Sequence, residues 1–203
     1  MKRLTFSAAA AMLALAATSA GAADVESMMA ECNSCHGPGG VSESSDVPTL
    51  AGFPEFVHVD ALYVYQDEAR PCAESDYRHG DTGKAATTMC AVAADLSEDD
   101  IDEIAAAYAE LDYVKAEQDF DAGLADAGKA LHDEHCDKCH SDAGTDPEDE
   151  AGMLGGQMIG YTQTMMAQFV DGSREQPKKM KEKVDLLSAD DVTALVHYYG
   201  SIQ

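Results

Sequence analysis

Basic residues are scarce: 13 Lys and Arg stand against 38 Asp and Glu in 203 residues, a formal charge of −25. That scarcity excludes a nucleic-acid binder, which needs Lys and Arg to displace phosphate counterions. It also sets the protein against an anionic membrane surface. A long apolar run is missing too. The stretch Ala8 to Ala17 falls short of the roughly 20 residues a transmembrane helix needs, and nothing later in the chain supplies another candidate. No alternating apolar and polar pattern of strand type rivals the helical periodicities described below. Tryptophan is absent, yet 45% apolar and 25% charged residues are ordinary globular proportions, so the chain is expected to fold.

Lys2-Arg3, the apolar run Ala8 to Ala17 and the small residues Thr18 to Ala23 read as a secretory signal peptide over 1–23, cleavable after Ala22 or Ala23. This implies export to the periplasm and a mature chain of about 180 residues. Its acidity is then a means of staying hydrated and monomeric.

Two pentapeptides carry the chemistry: Cys32-Asn33-Ser34-Cys35-His36 and Cys136-Asp137-Lys138-Cys139-His140. Both are Cys-x-x-Cys-His, the attachment signature of c-type haem. Two thiols one helical turn apart can add to the two vinyl groups of one haem, and the next residue presents an imidazole to the iron. A shared four-cysteine zinc site gives no reason for a His after each pair. A redox dithiol wants a preceding strand, whereas the stretches before both motifs look helical.

The motifs belong to an internal repeat. A shift of 104 residues lays Cys32 on Cys136, His36 on His140, Leu50 on Leu154, Gly52 on Gly156 and Tyr65 on Phe169. A shift of 91 lays Met89 on Met180, Leu96-Ser97 on Leu187-Ser188 and Tyr108 on Tyr199. The difference places a 13-residue insertion in the first repeat, between Asp67 and Met89. Each repeat is expected to run through a helix into the motif, a Gly-rich loop, a middle helix (roughly 56–68 or 157–170), a Met-bearing loop and a last helix. Ser97 and Ser188, three residues before Asp100 and Asp191, mark the start of that last helix. The expected architecture is all-α, in two tandem domains, 24–117 and 118–203, each wrapped round a haem that replaces much of a small core.

Met89 and Met180, seven residues before the Leu-Ser that opens the last helix, are the matched candidates for the second axial position on iron. His/Met ligation raises a haem's reduction potential. His58 and His79 are rivals for the first haem, and Cys90 adjoins Met89. Met153, Met158, Met165 and Met166 read as core filling. His132, His135 and His197 lack counterparts and read as surface residues or as neighbours of the ligands. The free ring nitrogen of His36 needs a partner. Pro48, twelve residues on, offers a carbonyl, and Gly152 holds the equivalent place for His140. Cys72 and Cys90, both confined to the first repeat, read most simply as a disulfide in an oxidising compartment. The alternative is a thiolate ligand to haem or copper.

Tandem class I cytochrome c domains resemble the dihaem cytochrome c-four type and its relative, the dihaem subunit of flavocytochrome c sulfide dehydrogenase. The motifs with Met89 and Met180 carry the resemblance to the superfamily. The segments Phe120 to His132 and Gly155-Gly156-Gln157 through Pro177-Lys178-Lys179-Met180 look more like the flavocytochrome subunit, from which the first repeat departs by its insertion and Cys72/Cys90. The resemblance implies two haem c groups, a pseudo-two-fold relation between the domains and electron transfer from a separate FAD flavoprotein that oxidises sulfide. A free-standing carrier to a terminal oxidase is the alternative. A dihaem peroxidase or thiosulfate dehydrogenase would need an open or thiolate-ligated iron, against which two matched Met ligands speak. Lys178, Lys179, Lys181 and Lys183 cluster around Met180 and mark an expected docking edge for an acidic redox partner.

Overall fold

The computed structural model describes residues 20–149 and 151–203. The leader expected over 1–23 lies outside them up to residue 19. In the first repeat, α1 (Ala20–His36) runs into a 3-10 turn (Pro38–Gly40), followed by α2 (Glu55–Gln66), α3 (Met89–Ala94) and α4 (Glu98–Ala109). The second has α5 (Ala122–His135), the short turn α6 (Ser141–Gly144), α7 (Ile159–Val170), α8 (Lys178–Val184) and α9 (Ala189–Gly200). The insertion adds the one sheet among the described residues, an antiparallel pair of two-residue strands, β1 (Glu74–Ser75) and β2 (Thr87–Thr88).

Both last helices open on a full capping box. Ser97 accepts from the Asp100 amide while Asp100 accepts from the Ser97 amide, and Ser188 and Asp191 repeat the arrangement. Two orphan amides are satisfied at each helix start. Ile101, Ile104, Ala105 and Tyr108 form the buried face of α4, and Ala194, Leu195, Val196, Tyr198 and Tyr199 that of α9. The stretch before each motif is longer than its local periodicity suggested, because α1 passes through its motif to His36 whereas α5 stops one residue short of Cys136.

The loops after the motifs are built alike. Leu50 N–H donates to Gly40 O and Leu154 N–H to Gly144 O, both at 2.7 Å, and both glycines have positive φ (73° and 70°). A Cβ on Gly40 would meet the Tyr108 ring at 2.5 Å, so both conformation and space demand glycine there. Farther on, Gly52 and Gly156 donate to the carbonyls of Tyr108 and Tyr199, each at 2.9 Å. These bonds tie each loop to its last helix.

The repeats meet through buried polar contacts. Thr49 N–H donates to Gln157 Oε1 (3.0 Å), and Gln157 Nε2 donates back to Thr49 O (2.8 Å), so one amide side chain satisfies both backbone groups of a residue in the other half. Tyr161 N–H donates to Ser45 O at 2.7 Å, and Tyr113 OH to Gly155 O at 2.6 Å.

Candidate functional site

Each motif sits where a helix ends, which puts its two thiols one turn apart and its His at the mouth of the following loop. Cys32, Cys35, Cys136 and Cys139 form no disulfide, although Cys72 and Cys90 in the same chain do. Burial pushes the Cys32 thiol up to about 11 and raises Cys35 and Cys136 in the same direction. The hydroxyls of Tyr108 and Tyr199 lie against Cys32 and Cys136 respectively.

The two histidines are held alike. His36 Nδ1 lies 3.0 Å from Pro48 O and His140 Nδ1 lies 3.0 Å from Gly152 O, the carbonyls anticipated from the twelve-residue spacing. A carbonyl there holds the proton on Nδ1 and leaves Nε2 with its lone pair, the form that binds a metal. Burial lowers both imidazoles below the ordinary histidine range and so keeps them neutral. Unpaired thiols with an anchored, neutral imidazole beside them fit covalent haem at both sites.

Met89 opens α3 behind the N-cap Thr88, and Met180 is the third residue of α8; both are half-buried and immediately precede the last helix of their repeat. Of the rivals, His58 has another occupation. Burial depresses His58 to about 4, and its ring interacts with the Leu50 carbonyl and packs 5.8 Å from Tyr108. His79 donates its backbone N–H to Ser34 O at 2.9 Å. Met153, Met158 and Met166 are core residues.

His132 is not at the surface. It is 1% exposed, 3.1 Å from Tyr199 OH, with its ring against Tyr198 and Tyr199. The cause is the close crossing of α5 on α9, where a Cβ on Gly128 would stand 2.1 Å from Ala194 O. His197 takes the Asp121 amide at 3.1 Å, and His135 is half-buried.

The insertion folds back on the first motif, which spacing did not reveal. The Arg78 and His79 amides both donate to Ser34 O, at 2.8 and 2.9 Å. Lys84 Nζ bonds Glu31 at 2.7 Å, Tyr77 OH donates to Glu31 at 3.0 Å, and the Cys35 thiol faces Asp76 O at 3.7 Å. The Cys72–Cys90 disulfide, with 5.8 Å between Cα atoms, anchors this flap beside Met89. In the second repeat Cys139 is exposed.

The geometry agrees with known proteins. Residues 123–198 match the family model described as cytochrome C oxidase, cbb3-type, subunit III. No curated protein matches the chain. Reduced recombinant cytochrome c4 from Pseudomonas stutzeri superimposes with a TM-score of 0.69 at 26% identity, covering 90% of this chain and 98% of that one. Cytochrome c4 from Acidithiobacillus ferrooxidans gives 0.68 at 23%, over 85% and 99%. Thiosulfate dehydrogenase (TsdBA) from Marichromatium purpuratum gives 0.64 at 23%, over 84% of this chain but 36% of that one. The fold is that of two class I cytochrome c domains in tandem. More particularly, the fold is like that of the dihaem cytochromes c4, and two haem c groups are the cofactors.

Proposed function

We propose that this chain is a periplasmic electron-transfer protein that relays electrons between redox partners through two His/Met haems and performs no substrate chemistry itself. The supporting observation is the equivalence of the two sites: the same motif, the same His-to-carbonyl bond at 3.0 Å and a Met on the element before the last helix. Haem held by Cys32, Cys35 and His36, and by Cys136, Cys139 and His140, would supply one-electron redox chemistry at each site. The residues of the chain hold the two imidazoles neutral and oriented, and the thioether sulfurs of Met89 and Met180 favour the ferrous state. The domains would be 24–117 and 118–203.

The ferric Met-to-iron charge-transfer band tests this reading. Two Met ligands give the band at full intensity, and Met89→Ala and Met180→Ala each remove about half of it. Retention of the full band in either variant would refute that ligand.

The donor we favour is an FAD flavoprotein that oxidises sulfide, on the strength of segments 120–132 and 155–180. The likeness to part of thiosulfate dehydrogenase favours a second reading, in which the donor oxidises another reduced sulfur anion. Co-purification with a flavin absorbance scan separates them: bound flavin supports the first, and a flavin-free complex reduced by thiosulfate supports the second. In either case α8 is the docking edge. Lys178 and Lys181 are engaged by Glu182 (4.0 Å) and Asp185 (2.6 Å), while Lys179 and Lys183 make no ion pair among the described residues.

A further inference from the structure

Besides the side that packs on α3 and α4, the middle helix of the first repeat carries a second apolar stripe. Phe56, Val59 and Tyr63, at helical spacing on α2, line a shallow depression of about 810 Å³ that is open to solvent, and Phe56 is 46% exposed there. Carboxylates rim it: Glu55 and Asp60 from α2 and Asp102 from α4. Burial, Glu98 and Asp102 together raise the Tyr63 phenol above its ordinary range, so a fourth acid stands beside the stripe. None of the four acids forms an ion pair among the described residues, although Asp60 also acts on Arg174 at longer range. No Lys or Arg among the described residues lines the depression.

The second repeat is an internal control. The shift of 104 lays Phe56, Val59 and Tyr63 on Gly160, Gln163 and Ala167, and Glu55 and Asp60 on Ile159 and Thr164. The shift of 91 lays Glu98 and Asp102 on Ala189 and Thr193. The same helices are therefore built without the aromatic stripe and without its acids, so the fold itself demands neither. Aromatic faces and unpaired carboxylates together suit Lys and Arg, whose charged heads and apolar stems meet both. A shallow surface depression fits a protein surface better than an enclosed small molecule. Residues 24–117 carry 4 basic and 21 acidic side chains, a field that draws a cationic partner from a distance.

We propose that the α2–α4 face of the first repeat docks a protein partner through a basic segment. Its Lys or Arg heads meet Glu55, Asp60, Glu98 and Asp102, and an apolar side chain between them covers Phe56. This face goes beyond the electron-relay reading and does not depend on it, because none of its residues belongs to a haem site. It gives the chain two docking faces of opposite demand, this one and the lysine-bearing α8 of the second repeat, so that a basic and an acidic partner can be held together.

Calorimetric titration of the holoprotein with a synthetic amphipathic Lys/Leu helix tests the proposal, beside an all-Lys peptide of equal charge and an amphipathic Glu/Leu helix. The Lys/Leu helix should bind at one site, the all-Lys peptide about tenfold more weakly and the Glu/Leu helix not measurably. In the complex, amide exchange should slow across residues 55–63 and 98–102. Phe56→Ser should weaken binding of the Lys/Leu helix by about tenfold. The triple variant Glu55→Gln, Asp60→Asn, Asp102→Asn should do the same at low salt, whereas Glu117→Gln, Asp119→Asn, Asp126→Asn, which removes three exposed acids elsewhere, should change little. Equal losses in the two triple variants, or protection on another face, would overturn the proposal as diffuse charge attraction. Equal binding of the all-Lys peptide or of the Glu/Leu helix would overturn it too, since the face must read charge and apolar surface at once. Self-association in sedimentation that Phe56→Ser abolishes would replace the basic partner by a second copy of this chain. Should a variant fail to fold, the exchange map and the three peptides on the wild type decide.

Discussion

Replacing Cys72 and Cys90 together by Ala should loosen the first half selectively. The bond closes a loop of 18 residues, and on the chain-entropy account such a cross-link is worth about 3 kcal/mol through restriction of the unfolded chain. The other ties of the flap are weaker. The Arg78–Asp46 and Lys84–Glu31 pairs lie at an exposed edge, where such pairs contribute about 0–1 kcal/mol, and each strand of the β1–β2 ladder is only two residues long. The bond therefore dominates the retention of the flap over Ser34. Denaturant unfolding of the holoprotein should show the first half less stable by about 2–4 kcal/mol, with the second half unmoved. Amide exchange at Arg78 and His79 should accelerate, because those amides are protected by Ser34 O. Cys90 adjoins Met89, so part of the Met-to-iron band should be lost as the variant warms. Stability within about 0.5 kcal/mol of the parent, with unchanged exchange at both amides, would refute the reasoning.

Gln157→Ala should cost roughly 2 kcal/mol or more in denaturant unfolding, because it orphans the buried N–H and C=O of Thr49, each worth about 1–3 kcal/mol when unpaired. The flap should also open in acid. Hydrogen bonds from Lys84 and Tyr77 hold the Glu31 carboxyl below its ordinary range, so their contribution is complete above the unfolded-state value and lost as pH falls through the folded one; exchange at Arg78 and His79 followed from neutral to acid pH checks this. Residues 24–117 carry 4 basic and 21 acidic side chains against 7 and 17 in 118–203, so the first haem should have the lower potential, and site-resolved titration of the Met89 and Met180 variants measures it. Charge reversal at Lys178 and Lys179 should slow electron exchange with an acidic partner at low salt and have little effect at high salt, where stopped-flow rates should converge.

Much of this fold was legible because it is written twice. The registers of 104 and 91 residues located both motifs, both Ser-x-x-Asp caps and both carbonyls that receive the His Nδ1 protons, since each depends on short-range spacing along the chain. Long-range placement was not legible in the same way. The β1–β2 pair is too short to show alternation, and the return of residues 77–84 to Ser34 and Glu31 depends on backbone amides that have no residue signature. His132 became a core residue because glycine at 128 lets α5 approach α9, an effect of packing that hydropathy at 132 does not report.

The flap over the first motif makes the molecule electrically lopsided. Two sites of like chemistry sit in one chain, yet one has its thioether edge roofed by residues 74–88, stapled by a disulfide and screened by acids, while the other shows Cys139 and a lysine-bearing helix to the solvent. A small soluble oxidant or reductant, which needs only contact with a haem edge, should therefore exchange faster with the second site, and the first should equilibrate chiefly through the second. The chain then behaves as a conductor insulated at one end, in which the 13 extra residues decide the end at which current enters or leaves.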